Sequence, residues 1–372
     1  MRDDDGWHQP VHSSLLHGKH RRVILDYINQ VLADIMKTRA RCDTQIQPVL
    51  QIWLVLLCFL AFGGSTNASE LNIAAPGPQG PLKGSYLEAN ASPAALVLII
   101  PGSGPIDRDG NGPGGWRTDM YKLLAEGLSQ RGISSIRIDK RGMFASRQAI
   151  DDPNDVAIGT YADDVHAWMD VAKAMTGSKC VWLLGHSEGA LVSLKAAQAA
   201  TDLCGLLLVA APGRPIGTLL REQLQSNPGN AAVLEEAMSI IDSLEAGRKT
   251  GTDTMHHALQ PLFSEGLQRY MIDLFSHDPS ALASTYDGPT LILQGSRDLQ
   301  VKMRDAERLM AALPNGQLKV LQDMNHVLKK VESDDLTANF ATYSNPAHAL
   351  APGITAAVTD FIGRHGATAR KD

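Results

Sequence analysis

The chain's most reactive-looking spacing is Gly185-His186-Ser187-Glu188-Gly189, a serine set between two glycines. It follows a short apolar run at 181–184 and precedes a stretch with Leu191, Leu194 and Ala197 at helical spacing, so it sits where a strand turns into a helix. A turn that sharp leaves no room for side chains on either side and pushes the central hydroxyl outward in a strained backbone conformation, the arrangement a nucleophilic serine needs. A hydroxyl is a poor nucleophile until a base takes its proton and an acid orients that base. Gly295-Ser296-Arg297-Asp298 ends the apolar run 290–294 and offers Asp298 as the acid. Gln322-Asp323-Met324-Asn325-His326 follows the run 317–321 and offers His326 as the base. Asp323 is the rival acid, but it stands too near His326 in sequence to orient the ring. His186, His256, His257, His277, His348 and His365 follow no late strand and read as surface or packing residues.

An acyl-transfer intermediate also needs two backbone N–H donors for its oxyanion. The N–H of Glu188, directly after the nucleophile, is one. The other is expected from Pro101-Gly102-Ser103-Gly104-Pro105, where glycines let the backbone come close; Ser103 N–H is favoured, with Gly102 and Gly104 left open. The neighbouring charges Asp107, Arg108, Asp109 and Arg141 read as an ion-pair network bracing these loops.

These groups are far apart in sequence, so a scaffold must bring them together. Apolar runs at 82–87, 95–100, 134–138, 181–184, 206–210, 290–294 and 317–321 alternate with amphipathic stretches, such as that bearing Val165, Trp168, Met169 and Ala172. This is the pattern of βαβ units around a largely parallel sheet, whose strand C-termini share one edge where sites are built. Between 212 and 287 the alternation lapses and only helix-like segments occur, which predicts an inserted helical cap.

The composition, 44% hydrophobic and 20% charged, is that of a globular chain able to bury a core. A net charge of −6 without a basic stripe argues against a nucleic-acid partner. The cysteine and histidine spacings fit no zinc site, and the Gly-rich segment 110–115 lacks the lysine of a phosphate loop, so no metal or cofactor is expected.

Near the N-terminus, residues 49–62 form an apolar segment too short to span a bilayer but suited to a signal peptide. Lys37, Arg39 and Arg41 precede it, and Thr66 and Ala68 supply small residues for cleavage after position 68. The expected organisation is therefore an extension without function at 1–35, a signal peptide at 36–68 and a catalytic domain at 69–372, exported to the periplasm without permanent membrane insertion. A retained anchor is the alternative.

With these motifs assembled, residues 80–365 resemble the α/β-hydrolase superfamily, and in particular bacterial exported esterases with a G-S-G-P-x-D-R-D-G loop, here Gly102 to Gly110. Asp139-Lys140-Arg141-Gly142 and Asn325-His326-Val327-Leu328-Lys329 are further points of similarity. The resemblance implies an eight-stranded, mostly parallel sheet flanked by helices, a helical cap after the sixth strand, and hydrolysis of small carboxylic esters through an acyl-enzyme. Amidase, peptidase, acyltransferase and noncatalytic ligand-binding readings share the same scaffold. The chain departs from the pattern at Pro101, where a histidine is usual, and at 69–80, which hardly read as a first strand. Trp116, Met143 and Phe144 are the expected pocket walls. Cys180 and Cys204 stand at the entrances of strands that lie side by side in such a sheet and are expected to pair, two free thiols being the alternative.

Overall fold

The computed structural model describes residues 70–90 and 95–366. The extension, the apolar segment and its cleavage site lie outside the described residues. Eight strands form one sheet in the order β1-β2-β4-β3-β5-β6-β7-β8: β1 (Glu70–Ala75), β2 (Leu82–Leu87), β3 (Ala95–Ile100), β4 (Ile133–Ile138), β5 (Val181–His186), β6 (Leu203–Val209), β7 (Thr290–Gly295) and β8 (Gly316–Leu321). The pairs β1/β2 and β2/β4 are antiparallel and the rest of the sheet is parallel. The connections are helices α1 (Met120–Ser129), α2 (Ile158–Thr176) and α3 (Glu188–Ala197). Five more, α4 (Ile216–Ser226), α5 (Leu234–Glu245), α6 (Gln260–Phe263), α7 (Glu265–Phe275) and α8 (Pro279–Ser284), follow β6, and then come α9 (Met303–Ala312), α10 (Leu336–Ala341) and α11 (Ile354–Gly366).

The strand at 70–75 corrects the reading of 69–80 as unlike a strand. It is an edge strand whose residues are mostly exposed, with only Ala75 buried, so burial imposed no apolar alternation for the sequence to display.

The sheet is apolar on both faces because helices cover both. Along β3, Leu96, Leu98 and Ile100 join the core beneath α2 and α3, while Val97 and Ile99 join the core beneath α1 and α11. A strand buried on both sides has no polar face, which is why residues 95–100 read as a continuous apolar run.

Residues 216–284 contain no strand, and their apolar faces extend the first of these cores through Ile241, Leu244, Phe263 and Leu274. Asp273 accepts from the N–H of Ile158 at 2.7 Å, satisfying an orphan donor at the start of α2. Arg214 pairs with both Asp305 and Glu222, at 2.7 and 2.5 Å, at the base of the segment.

The register between β5 and β6 pairs Val181 with Leu203 and then Trp182 with Gly205, leaving Cys204 as the extra residue of a bulge. Cys204 is disulfide-bonded to Cys180, with Cα atoms 5.2 Å apart.

Candidate active site

Ser187 occupies the single residue between β5 and α3, with φ 53° and ψ −122°, a conformation costly for any residue with a side chain. Packing imposes it. A Cβ on Gly185 would lie 2.3 Å from the carbonyl oxygen of Gly189, and one on Gly189 would lie 2.3 Å from that of Ile100, so neither flank tolerates a larger residue. The Ser187 N–H donates to Val209 O at 2.9 Å, tying the turn to β6. Ser187 stays partly exposed while its neighbours are buried.

The loop after β3 lies directly against this turn: a Cβ on Gly102 would come 3.2 Å from that of Ser187. The N–H of Gly102 already donates to the Tyr121 hydroxyl at 3.0 Å, which removes it as an oxyanion donor. Ser103, next along, is exposed.

Three residues past β7, Asp298 is buried and fixed from three sides. Its Oδ1 accepts from the N–H groups of Gln300 and Val301 at 2.8 and 2.9 Å, and its Oδ2 faces His326 Nδ1 at 2.9 Å. Burial opposes its charge, but His326 and the two backbone donors outweigh that and hold the carboxyl below its ordinary value. The rival, Asp323, instead faces Arg297.

The loop bearing His326 is braced by Asn325, which is wholly buried. Its Oδ1 accepts from Lys329 N at 2.9 Å, and its Nδ2 donates to Thr342 Oγ1 at 2.8 Å.

His186 is neither a surface nor a passive packing residue, contrary to the expectation from sequence. It is 2% exposed, and its Nε2 lies 2.8 Å from the carbonyl oxygen of His326. A carbonyl only accepts, so Nε2 carries the proton and Nδ1 is a lone pair. Nδ1 therefore accepts from the Tyr121 hydroxyl, 2.8 Å away, whose oxygen in turn accepts from Gly102 N–H. This directional chain links the Gly102 loop to the His326 loop through the residue beside the serine. Burial and the nearby His326 push His186 down to about 3, so it stays neutral. Tyr121, also buried, is pushed well above its ordinary value and stays protonated. Neither residue announces itself in sequence, because a histidine's role depends on neighbours 65 and 140 residues away.

Of the four charges expected to brace the loops, three form ion pairs with other residues, while Asp107 accepts from the N–H groups of Asp109 and Asn111. Arg108 pairs with Asp139 at 2.7 Å, Arg137 with Asp109 at 2.5 Å and Arg141 with Asp164 at 2.5 Å. Among the expected pocket walls, Trp116 packs edge-on against Tyr343, with ring centroids 4.9 Å apart. Met143 and Phe144 stand on the separate loop after β4, where Phe144 is 42% exposed. A cleft of about 280 Å³ opens behind the acid, lined by Asp298, Lys302, Asp334 and Asn339 among others. Neither Ser187 nor His326 lines it, so it is distinct from the face that presents the serine.

The model of the serine aminopeptidase S33 family matches residues 114–334, from the loop before α1 to beyond His326. The chain belongs to that family. Esterase EstD of Thermotoga maritima is 27% identical to this S33 chain over 245 residues, which cover 64% of the chain and 55% of the relative. The chain thus spans about half the length of that curated relative. Among solved structures, an esterase from Thermogutta terrifontis is 20% identical, with a TM-score of 0.50 over 80% of this chain and 100% of its own. The proline iminopeptidase of Mycobacterium smegmatis is 13% identical, with a TM-score of 0.54 over the same shares. These likenesses establish the α/β-hydrolase fold. That an esterase and a peptidase share it leaves the leaving group to be argued from the site.

Proposed function

We propose that the chain is a serine hydrolase that cleaves carboxylic esters through an acyl-enzyme. Ser187 attacks the ester carbonyl, His326 Nε2 receives its proton, and Asp298 holds the imidazole by Nδ1 and stabilises the imidazolium that forms. The N–H groups of Ser103 and Glu188 receive the oxyanion. His326 then protonates the departing alcohol, and a water activated by the same ring releases the acid.

The observation that carries this reading is the contact of Asp298 with His326, placed by two neighbouring strands at the sheet edge that also presents the strained Ser187. An ester rather than a peptide substrate is favoured by the relation to an esterase. We assign helices 216–284 as a cap within the span 212–287, and Trp116, Met143 and Phe144 as walls of the acyl and alcohol sites. The disulfide supports export to an oxidising compartment, with residues 36–68 as the signal peptide.

Ser187→Ala is expected to lower turnover of p-nitrophenyl esters by several orders of magnitude and to abolish labelling by a fluorophosphonate. Ester hydrolysis near the wild-type rate by that variant excludes the assignment. Aminoacyl p-nitroanilides run beside the esters separate the two leaving groups, and a preference for the anilides overturns the ester reading.

A further inference from the structure

We propose that Lys140 is a positioning residue that sets both oxyanion donors through one buried ammonium group; this rests on the reading of Ser103 and Glu188 N–H as those donors. Lys140 follows β4 and is 5% exposed. Its Nζ donates to the carbonyl oxygen of Gly102 at 2.7 Å and to Glu188 Oε1 at 3.1 Å, and it stands over the Tyr161 ring at 5.3 Å from the centroid.

The Gly102 carbonyl and the Ser103 N–H are opposite ends of one planar trans peptide. Fixing the oxygen on the core side therefore turns the hydrogen outward, to the side where Ser103 is exposed. A positive charge on the oxygen also draws electron density from the nitrogen and strengthens the N–H as a donor, as along any polarised hydrogen-bond chain. The N–H of Gly102, in the preceding peptide, is held by Tyr121, so the residue Gly102 is tied on both of its sides.

The second bond acts on the other donor. Glu188 supplies its N–H to the oxyanion while its side chain is 3% exposed, and an unpaired carboxylate there would repel the negative charge that develops in the transition state. Lys140 cancels that charge and anchors the first residue of α3. The ammonium makes its hydrogen bonds to the Gly102 carbonyl and the Glu188 carboxylate, and its effect passes through these two groups.

Lys140→Met alone strands a buried carboxylate and endangers folding, so the decisive variant is Lys140→Met with Glu188→Gln, which removes both charges together and leaves both backbone donors in place. Its kcat for p-nitrophenyl butyrate is expected to fall roughly 10- to 100-fold, less than complete loss of one donor, with KM within about threefold. A trifluoromethyl ketone of the same acyl length, which adds to Ser187 and places an oxyanion in the hole, should lose affinity by the factor seen in kcat/KM. The corresponding ether, which has no carbonyl to attack, should bind unchanged. A purely structural role would lower thermal stability or weaken both ligands alike. If the double variant keeps wild-type kcat and ketone affinity, Lys140 only neutralises Glu188 and the proposal is wrong. If the wild-type protein itself neither turns over the ester nor binds the ketone, the hydrolase reading fails and the proposal fails with it.

Discussion

Acid should destabilise this protein through a residue that takes no part in the proposed proton transfer. His186 has an ordinary value of 6.5 and is held at about 3 in the folded chain, by burial and by His326. Above about pH 7.5 it is neutral whether folded or not and contributes nothing to the pH dependence. As the pH falls below 6.5 the unfolded chain takes up a proton that the folded chain refuses, so stability drops steadily until about pH 3 and then levels off. At about pH 4.5, two units below the ordinary value, the loss is ~3 kcal/mol. Asp298 works in the same direction, since its carboxyl is held low and its contribution is lost as the pH falls through its folded value. That loss lies below the ordinary carboxylate value of 3.8, outside the window. The comparison is with His186→Gln, whose amide can donate to His326 O and accept from Tyr121 but does not titrate. Guanidinium unfolding followed by tryptophan fluorescence at about pH 7.5 and about pH 4.5 should show the wild-type protein losing ~3 kcal/mol more than the variant. Equal losses in the two proteins would refute both the neutral tautomer and the chain of hydrogen bonds built on it.

Further expectations follow from the same geometry. Tyr121→Phe leaves the Gly102 N–H and His186 Nδ1 buried without partners, and should cost roughly 2–4 kcal/mol in denaturant unfolding at neutral pH; a cost under about 1 kcal/mol contradicts the assigned chain. Asp298→Asn keeps an oxygen for Gln300 and Val301 N–H but puts the wrong group against His326 Nδ1, so kcat should fall on the order of 10³–10⁴-fold with little change in melting temperature. Replacing Cys180 and Cys204 together with serine opens a loop of sequence separation 24 and should lower stability by ~3 kcal/mol. Thiol titration of the denatured, unreduced wild-type protein should find neither of these cysteines free.

Much of the site was readable because its parts obey local rules. Ser187 is identified by glycines that no other residue could replace in so sharp a turn, and the clash distances at Gly185 and Gly189 give the reason. Asp298 and His326 are identified by standing just past apolar runs, since in a parallel sheet every strand end reaches the same edge. The sheet itself was legible because a strand buried on both faces must be continuously apolar. The edge strand at 70–75 was illegible for the converse reason: exposure on most of its residues removes the pattern.

What the sequence alone offered is thus the order of the buried strands, the candidate nucleophile with its candidate acid and base, and two cysteines placed where they could pair. Only the tertiary structure decided which polar residues hold these groups in place. Tyr121 carries no motif, and the motifs that contain His186 and Lys140 do not reveal their partners, because a buried hydrogen bond is defined by direction and distance between segments the chain brings together only on folding. The same folding commits the Gly102 N–H to the Tyr121 hydroxyl, a contact that no residue type could announce.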